Sequence, residues 1–205
     1  MASYKWSKYK NYLNVKNRKR IIMGMIIGLV VLALIALVVV WGIGRYNQMI
    51  GTAEMVDNAM AQIAAQVESR WDALSNLISA TKSYQSHEAD TLKQIVHERS
   101  GVSRQSSVSQ IEEDQAQFER AMRAIDVVVE QYPDLKASGV YQQTMSSVDK
   151  YENNVRQSRM VFNDMVTKFN RLIKVFPNSI IANLTGFQAK DYFKSSPDKA
   201  EMPQW

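Results

Sequence analysis

IIMGMIIGLVVLALIALVVVWGIG, residues 21–44, is a run of 24 residues without a charge. At 1.5 Å per residue a helix of this length extends about 36 Å, enough to cross a ~30 Å hydrocarbon core with some tilt. No later stretch matches it, so the sequence predicts a single-pass membrane protein with an N-terminal transmembrane helix. Residues 1–20 hold seven basic side chains (Lys5, Lys8, Lys10, Lys16, Arg18, Lys19, Arg20) and no acidic ones. Basic flanks resist translocation, which puts 1–20 in the cytoplasm and 45–205 on the outer side. A cleaved signal peptide has an apolar core of about 7–15 residues and a small-residue cleavage site. This run is longer and leads into Trp41, Arg45 and Tyr46. A lipoprotein anchor needs a cysteine, and the chain has none. The same absence excludes disulfides, thiolate metal sites and a cysteine nucleophile.

The net charge of +5 belongs to the N-terminus. Seven of the 25 basic residues lie in 1–20, so 45–205 holds 18 against 20 acidic ones, a net of −2. A nucleic-acid-binding domain carries its basic excess on the folded part, and this chain does not. Tyr4, Trp6, Tyr9 and Tyr12 interleave with the lysines. Amphipathic rings among cations suit a headgroup interface.

Beyond the anchor the pattern is helical. Met49, Val56, Ile63, Arg70, Leu77 and Tyr84 recur every seven residues, as do Tyr46, Ala53, Met60, Val67, Leu74 and Thr81. Together they make one apolar seam, broken chiefly by Arg70. A short helical stretch is expected at about 87–100, a glycine- and serine-rich loop at 101–110, and a helix at about 111–132. Tyr132-Pro133 stops that helix. The strongest pattern follows: Tyr141, Val148, Val155, Phe162, Phe169 and Phe176, spaced by seven through about 140–176. Such a seam demands a helical partner, in the same chain or in another copy. The expected fold is all-α, an N-terminal transmembrane helix followed by an antiparallel bundle of long helices.

Residues 71–100, WDALSNLISATKSYQSHEADTLKQIVHERS, resemble the signature of the LemA family, bacterial single-pass membrane proteins with a helical extramembrane domain. Arg70, Asp72, Leu74, Asn76, Leu77, Lys82, Tyr84, His87, Glu88, Leu92 and Arg99 match its pattern. Ser75 departs from it, since the family commonly has proline there, and a straighter first helix is expected. YPDLKAS at 132–138 is similar to the family's turn. Glu152, Arg159, Asn163 and Asn170, then Phe176-Pro177, Ala182, Gly186-Phe187 and Phe193, follow its order. The resemblance implies a helical bundle beside a membrane and no established activity. It divides the chain into a basic segment (1–20), the transmembrane helix (21–44), a LemA-like bundle (45–193) and a tail (194–205).

The two histidine–glutamate pairs, His87-Glu88 and His97-Glu98, invite a metal reading. Ten helical residues turn about 1000°, which points the pairs in different directions. They read instead as local groups, and no metal or cofactor is expected. Arg70 and Arg159 lie at or beside apolar seams, where an unpaired charge is costly. Arg70, Glu88, Glu152, Arg159, Asn163 and Asn170 are therefore expected to form a partly buried polar network; the alternative is solvated charge around a bundle. There is no phosphate loop, no G-x-S-x-G and no cysteine, so an enzyme is not expected.

The expected function is a non-enzymatic, membrane-anchored helical scaffold that self-assembles at the bacterial cell envelope, in the inner membrane. Its expected partners are membrane lipid, further copies of itself and other envelope proteins, without nucleic acid. Two alternatives are an extracytoplasmic sensory or ligand-binding bundle signalling through a partner, and an envelope-stress membrane-remodelling protein.

Overall fold

The computed structural model describes residues 2–81 and 101–194, and side chains from 16 to 79 in the first of these stretches. All regular elements among the described residues are helices: α1 (Ala2–Thr81), α2 (Val108–Gln131), α3 (Pro133–Ala137), α4 (Gly139–Lys174) and α5 (Asn178–Thr185). The chain divides into two compact units, Met1–Gln48 and Met49–Trp205.

The first unit contains the apolar run, and its side chains are exposed from Ile21 to Val40. This part of α1 is long and apolar enough to cross a membrane, the one such helix among the described residues. Just past it, Arg45 stacks on the Trp41 ring at 5.8 Å and donates to Gln48 Oε1 at 2.8 Å.

In the second unit the seven-residue seams are the core. Met49, Val56, Met60, Ile63, Val67, Leu74 and Leu77 of α1 are buried. They meet Ile111, Phe118, Ala121, Ile125 and Val129 of α2, and Val148, Val155, Phe162, Val166 and Phe169 of α4, in one continuous cluster. α1 and α2 run in the same sense, since Val56 lies near Val108 and Trp71 bonds Asp114. α4 is antiparallel to both, with Glu152 on Arg70 and Phe162 beside Val56. The helical stretch expected at 87–100, between α1 and α2, lies outside the described residues.

Local chemistry sets the boundaries. The loop expected to run to residue 110 ends earlier, because Ser107 and Gln110 form a capping box: Ser107 Oγ accepts from Gln110 N, and Gln110 Oε1 accepts from Ser107 N. Ser138 caps α4 by accepting from Tyr141 N. Pro133 opens α3 instead of merely ending α2, which places it at a first helical turn that needs no N–H. Ser75, where the family commonly has proline, lies within an unbroken α1 and donates to the Trp71 carbonyl.

α4 ends at Lys174, so the seam does not extend to Phe176, which lies outside the helix and is largely exposed. α5 follows and ends at Gly186, whose φ of 78° is the left-handed conformation that glycine adopts without strain. Residues 187–194 then return along α4 as an extended segment.

Candidate functional site

A polar cluster occupies the middle of the second unit, at the point where the seam of α1 is broken. Arg70 has no solvent-accessible side chain, and neither has Asp114 opposite it. The guanidinium joins three helices. Its Nη2 donates to Asp114 Oδ2 of α2 at 3.0 Å. Its Nη1 donates to Gln115 Oε1 of α2 at 2.7 Å and to Glu152 Oε1 of α4. The plane lies 3.9 Å from the Phe118 ring centre, and stacking on an aromatic face is open to arginine in a way it is not to lysine. Trp71, buried next to Arg70, donates its indole N–H to Asp114 Oδ1 at 3.0 Å and meets Phe118 edge-on.

A buried ion pair is poor support for stability by itself, because desolvation offsets most of the attraction. What this one does provide is register. The guanidinium bonds acceptors on both α2 and α4, which ties the three helices together at one height.

About three helical turns beyond Glu152, α4 changes its polar chemistry. Asn163 Nδ2 donates to the Phe193 carbonyl, and its Oδ1 accepts from Phe193 N, both at 3.0 Å. Asn170 repeats the arrangement on Lys190, at 2.9 and 2.8 Å. Each carboxamide thus offers a donor and an acceptor to the backbone of one residue in the returning segment, as a neighbouring strand would. Phe187 packs edge-on against Phe169, and Phe193 against Phe162. Lys190 also pairs with Asp57 of α1. The segment therefore fills a groove between α1 and α4. Above it an open cleft of about 450 Å³ is lined by Val56, Asp57, Met60, Phe162, the 104–108 turn and 189–191.

The residues expected to form one network separate into three environments. Arg70 and Glu152 are brought together. Asn163 and Asn170 stand apart from them and hold the returning segment. Arg159 lies between the two groups, 5.1 Å from the Phe193 ring, and its buried Nε and Nη2 have no hydrogen-bond partner among the described residues. Burial lowers its pKa from the ordinary arginine value, and Arg70 adds repulsion, while Glu152, Glu112 and Asp114 pull the other way. Glu88 lies outside the described residues, as do His87, His97 and Glu98. Of the six seam positions, Val148, Val155, Phe162 and Phe169 are buried, Tyr141 is partly buried and Phe176 is exposed.

Asp114 and Trp71 were not legible as site residues from a search for charges on the two strongest seams. A signal was present: Asp114 falls three residues after Ile111 and four before Phe118, where the stripe of α2 calls for an apolar side chain.

Comparison with known proteins adds the following. The model of the LemA family matches residues 59–204. Protein LemA of Metamycoplasma hominis is 27% identical over 168 residues, covering 78% of this chain and 76% of its own. The magnetosome protein MamQ of Magnetospirillum gryphiswaldense is 30% identical over 80 residues, 39% of this chain and 29% of its own length. MamQ 2 of Paramagnetospirillum magneticum matches to the same extent.

Proposed function

This chain belongs to the LemA family, and from that premise we propose that it is a non-enzymatic helical scaffold anchored in the bacterial inner membrane. In this reading 1–20 is cytoplasmic and 45–205 lies outside the cytoplasm. The observation that carries it is the core of the second unit. The seams of α1, α2 and α4 are buried against one another within a single chain, on a chain that also carries a helix suited to span a bilayer. A bundle whose described helices bury their seams against one another, tethered to a membrane, is suited to presenting surfaces.

The closed core changes where self-assembly is assigned. The seam of Val148, Val155, Phe162 and Phe169 is buried within one chain, which favours the anchor as the contact between copies in this reading. Gly24 and Gly28 are four apart on one face of the apolar run. Small residues at this spacing let membrane helices approach closely. Tethering in one plane then raises the effective concentration of copies.

The mass of the detergent-extracted full-length protein, set beside that of residues 45–205, tests the reading. The fragment is expected to be a folded monomer and the full-length chain a defined oligomer. Monomers in both cases would remove self-assembly from the proposal. A fragment that aggregates or unfolds would show that the core is not complete in one chain.

A second reading, a ligand-binding bundle, draws support from the open cleft, where Asp57, Arg104, Lys190 and Asp191 place both signs of charge around Met60 and Phe162. A ligand that occupies it raises the melting temperature of the protein in proportion to the logarithm of its concentration.

A further inference from the structure

The second unit has an apolar surface that its core does not use, at the end where the chain enters at Met49. Asp57 of α1 and Asn170 of α4 both hold Lys190, so they lie at one level of the bundle. α4 runs opposite to α1; its last turn therefore continues past that level, towards Met49. There Phe176 is 77% exposed, Leu184 82%, Ile180 52% and Val175 49%. Ile180 and Leu184, four apart, share one face of α5, and Phe176 is exposed in the turn just before it, so the three make one apolar stripe. Ala182, on the opposite side of that helix, is buried. Asn178 ties α5 to α4 by donating to the Leu172 carbonyl at 3.2 Å. Arg171 and Lys174 bring two cations to the last turn of α4, next to the stripe. At the far end of the bundle, the exposed large apolar residues among those described are Val127 on α2 and Val140 on α4.

Chain length limits how far this end of the unit can lie from the apolar run. Met49 follows Gly44, the last residue of the apolar run, by five positions. Even fully extended, a chain of that length reaches at most about 17 Å. Met49, at the end of the unit that carries the stripe, thus lies within about 17 Å of the last residue of the apolar run. Exposed aromatic and aliphatic side chains next to basic ones are the composition that inserts into a headgroup region of negative charge.

We propose that Phe176, Ile180 and Leu184, flanked by Arg171 and Lys174, form a docking surface for the anionic lipid bilayer in which the chain is anchored. The proposal rests on the anchoring put forward above, and it adds a second contact with the same membrane. Docking by α5 sets the height and tilt of the bundle over the lipid, and it leaves the α2–α4 end as the surface presented outwards.

The chain has no cysteine, so single-cysteine variants accept a fluorophore at one chosen position. Phe176→Cys, Leu184→Cys, Val127→Cys and Leu34→Cys are prepared in the full-length protein and reconstituted into vesicles of phosphatidylcholine and phosphatidylglycerol. Emission is then quenched from the lipid phase by a nitroxide lipid, or from water by iodide. The expected result is strong lipid-phase quenching at 34, 176 and 184 and a severalfold weaker effect at 127, with iodide showing the reverse order. Iodide quenching at 176 and 184 with lipid quenching at 34 overturns docking and leaves the anchor standing. Labels at 176 and 184 shielded from both quenchers would mean that protein covers the stripe, which overturns the assignment to lipid. A label at 34 reached by iodide overturns the anchor and the docking surface together.

Discussion

The two halves of α4 use polar side chains in opposite ways. In the first half, Glu152 takes part in an ionic cluster whose centre, Arg70, is wholly buried and joins three helices. In the second half, Asn163 and Asn170 are neutral and bond the backbone of a segment that is not helical. Helices satisfy their own backbone groups and leave side chains to set how they pack. An extended segment against a helix has no such ladder, and its N–H and C=O groups need side-chain partners. The charges thus specify which helices pair and at what height; the carboxamides let a strand-like segment lie in a groove without a sheet. If this division is right, damage to the first half is global and damage to the second is local.

The largest effect is expected from Arg70→Met. The methionine leaves the buried Asp114 and the partly buried Glu152 without their cation, and breaking a buried pair from one side costs about 3–5 kcal/mol. Denaturant unfolding followed by far-ultraviolet circular dichroism would show it as a lower midpoint for the whole second unit. Adding Asp114→Leu and Glu152→Leu removes the stranded carboxylates, and much of the lost stability is expected to return. An Arg70→Met protein as stable as the parent would mean that the cluster contributes nothing to register.

Asn170→Ala is expected to act locally. Alanine leaves the Lys190 N–H and C=O without their partners, at a cost of about 1–3 kcal/mol if they stay buried. The segment can avoid that cost by leaving the groove. Hydrogen exchange should then accelerate at 187–193 while α1, α2 and the first half of α4 keep their protection. Asn163→Ala should do the same to a smaller degree, because the Phe193 ring retains its contact with Phe162. Loss of protection throughout the bundle in either variant would erase the contrast between the halves.

The fold was legible because seven-residue periodicity reports directly on which face of a helix is buried. Met49, Val56, Ile63 and Leu77 in α1, and Val148 through Phe169 in α4, are where that periodicity puts them. It was less informative at the ends. Phe176 keeps the spacing of the seam, but spacing carries no information about where the backbone leaves the helix, and α4 stops at Lys174. For the polar residues the seams showed which charges lie among apolar groups, hence Arg70, and not what they meet. Partner choice depends on contacts between residues 44 and 82 positions apart, as for Asp114 and Glu152. Asn163 and Asn170 share a stripe, and nothing local shows that their partners are backbone groups 30 and 20 residues further on.

Arg159 lies between the halves and gives the smallest and most discriminating prediction. Its guanidinium is held near Phe193 with Nε and Nη2 buried and without partners among the described residues. Burial and the repulsion of Arg70 disfavour its charged form. For a base with a depressed folded-state pKa, the folded state carries the penalty at every pH below that pKa, and relief comes only as pH rises past it. Arginine stays protonated throughout the working range, so the penalty is constant there. Arg159→Met keeps most of the apolar stem that packs on the Phe193 ring and removes the charge. The variant is expected to be more stable than the parent by about 1 kcal/mol, with no change between roughly pH 5 and 8. The opposite result, a loss comparable to that of Arg70→Met, would place Arg159 within the ionic cluster and move the boundary between the two halves of α4 towards Asn163.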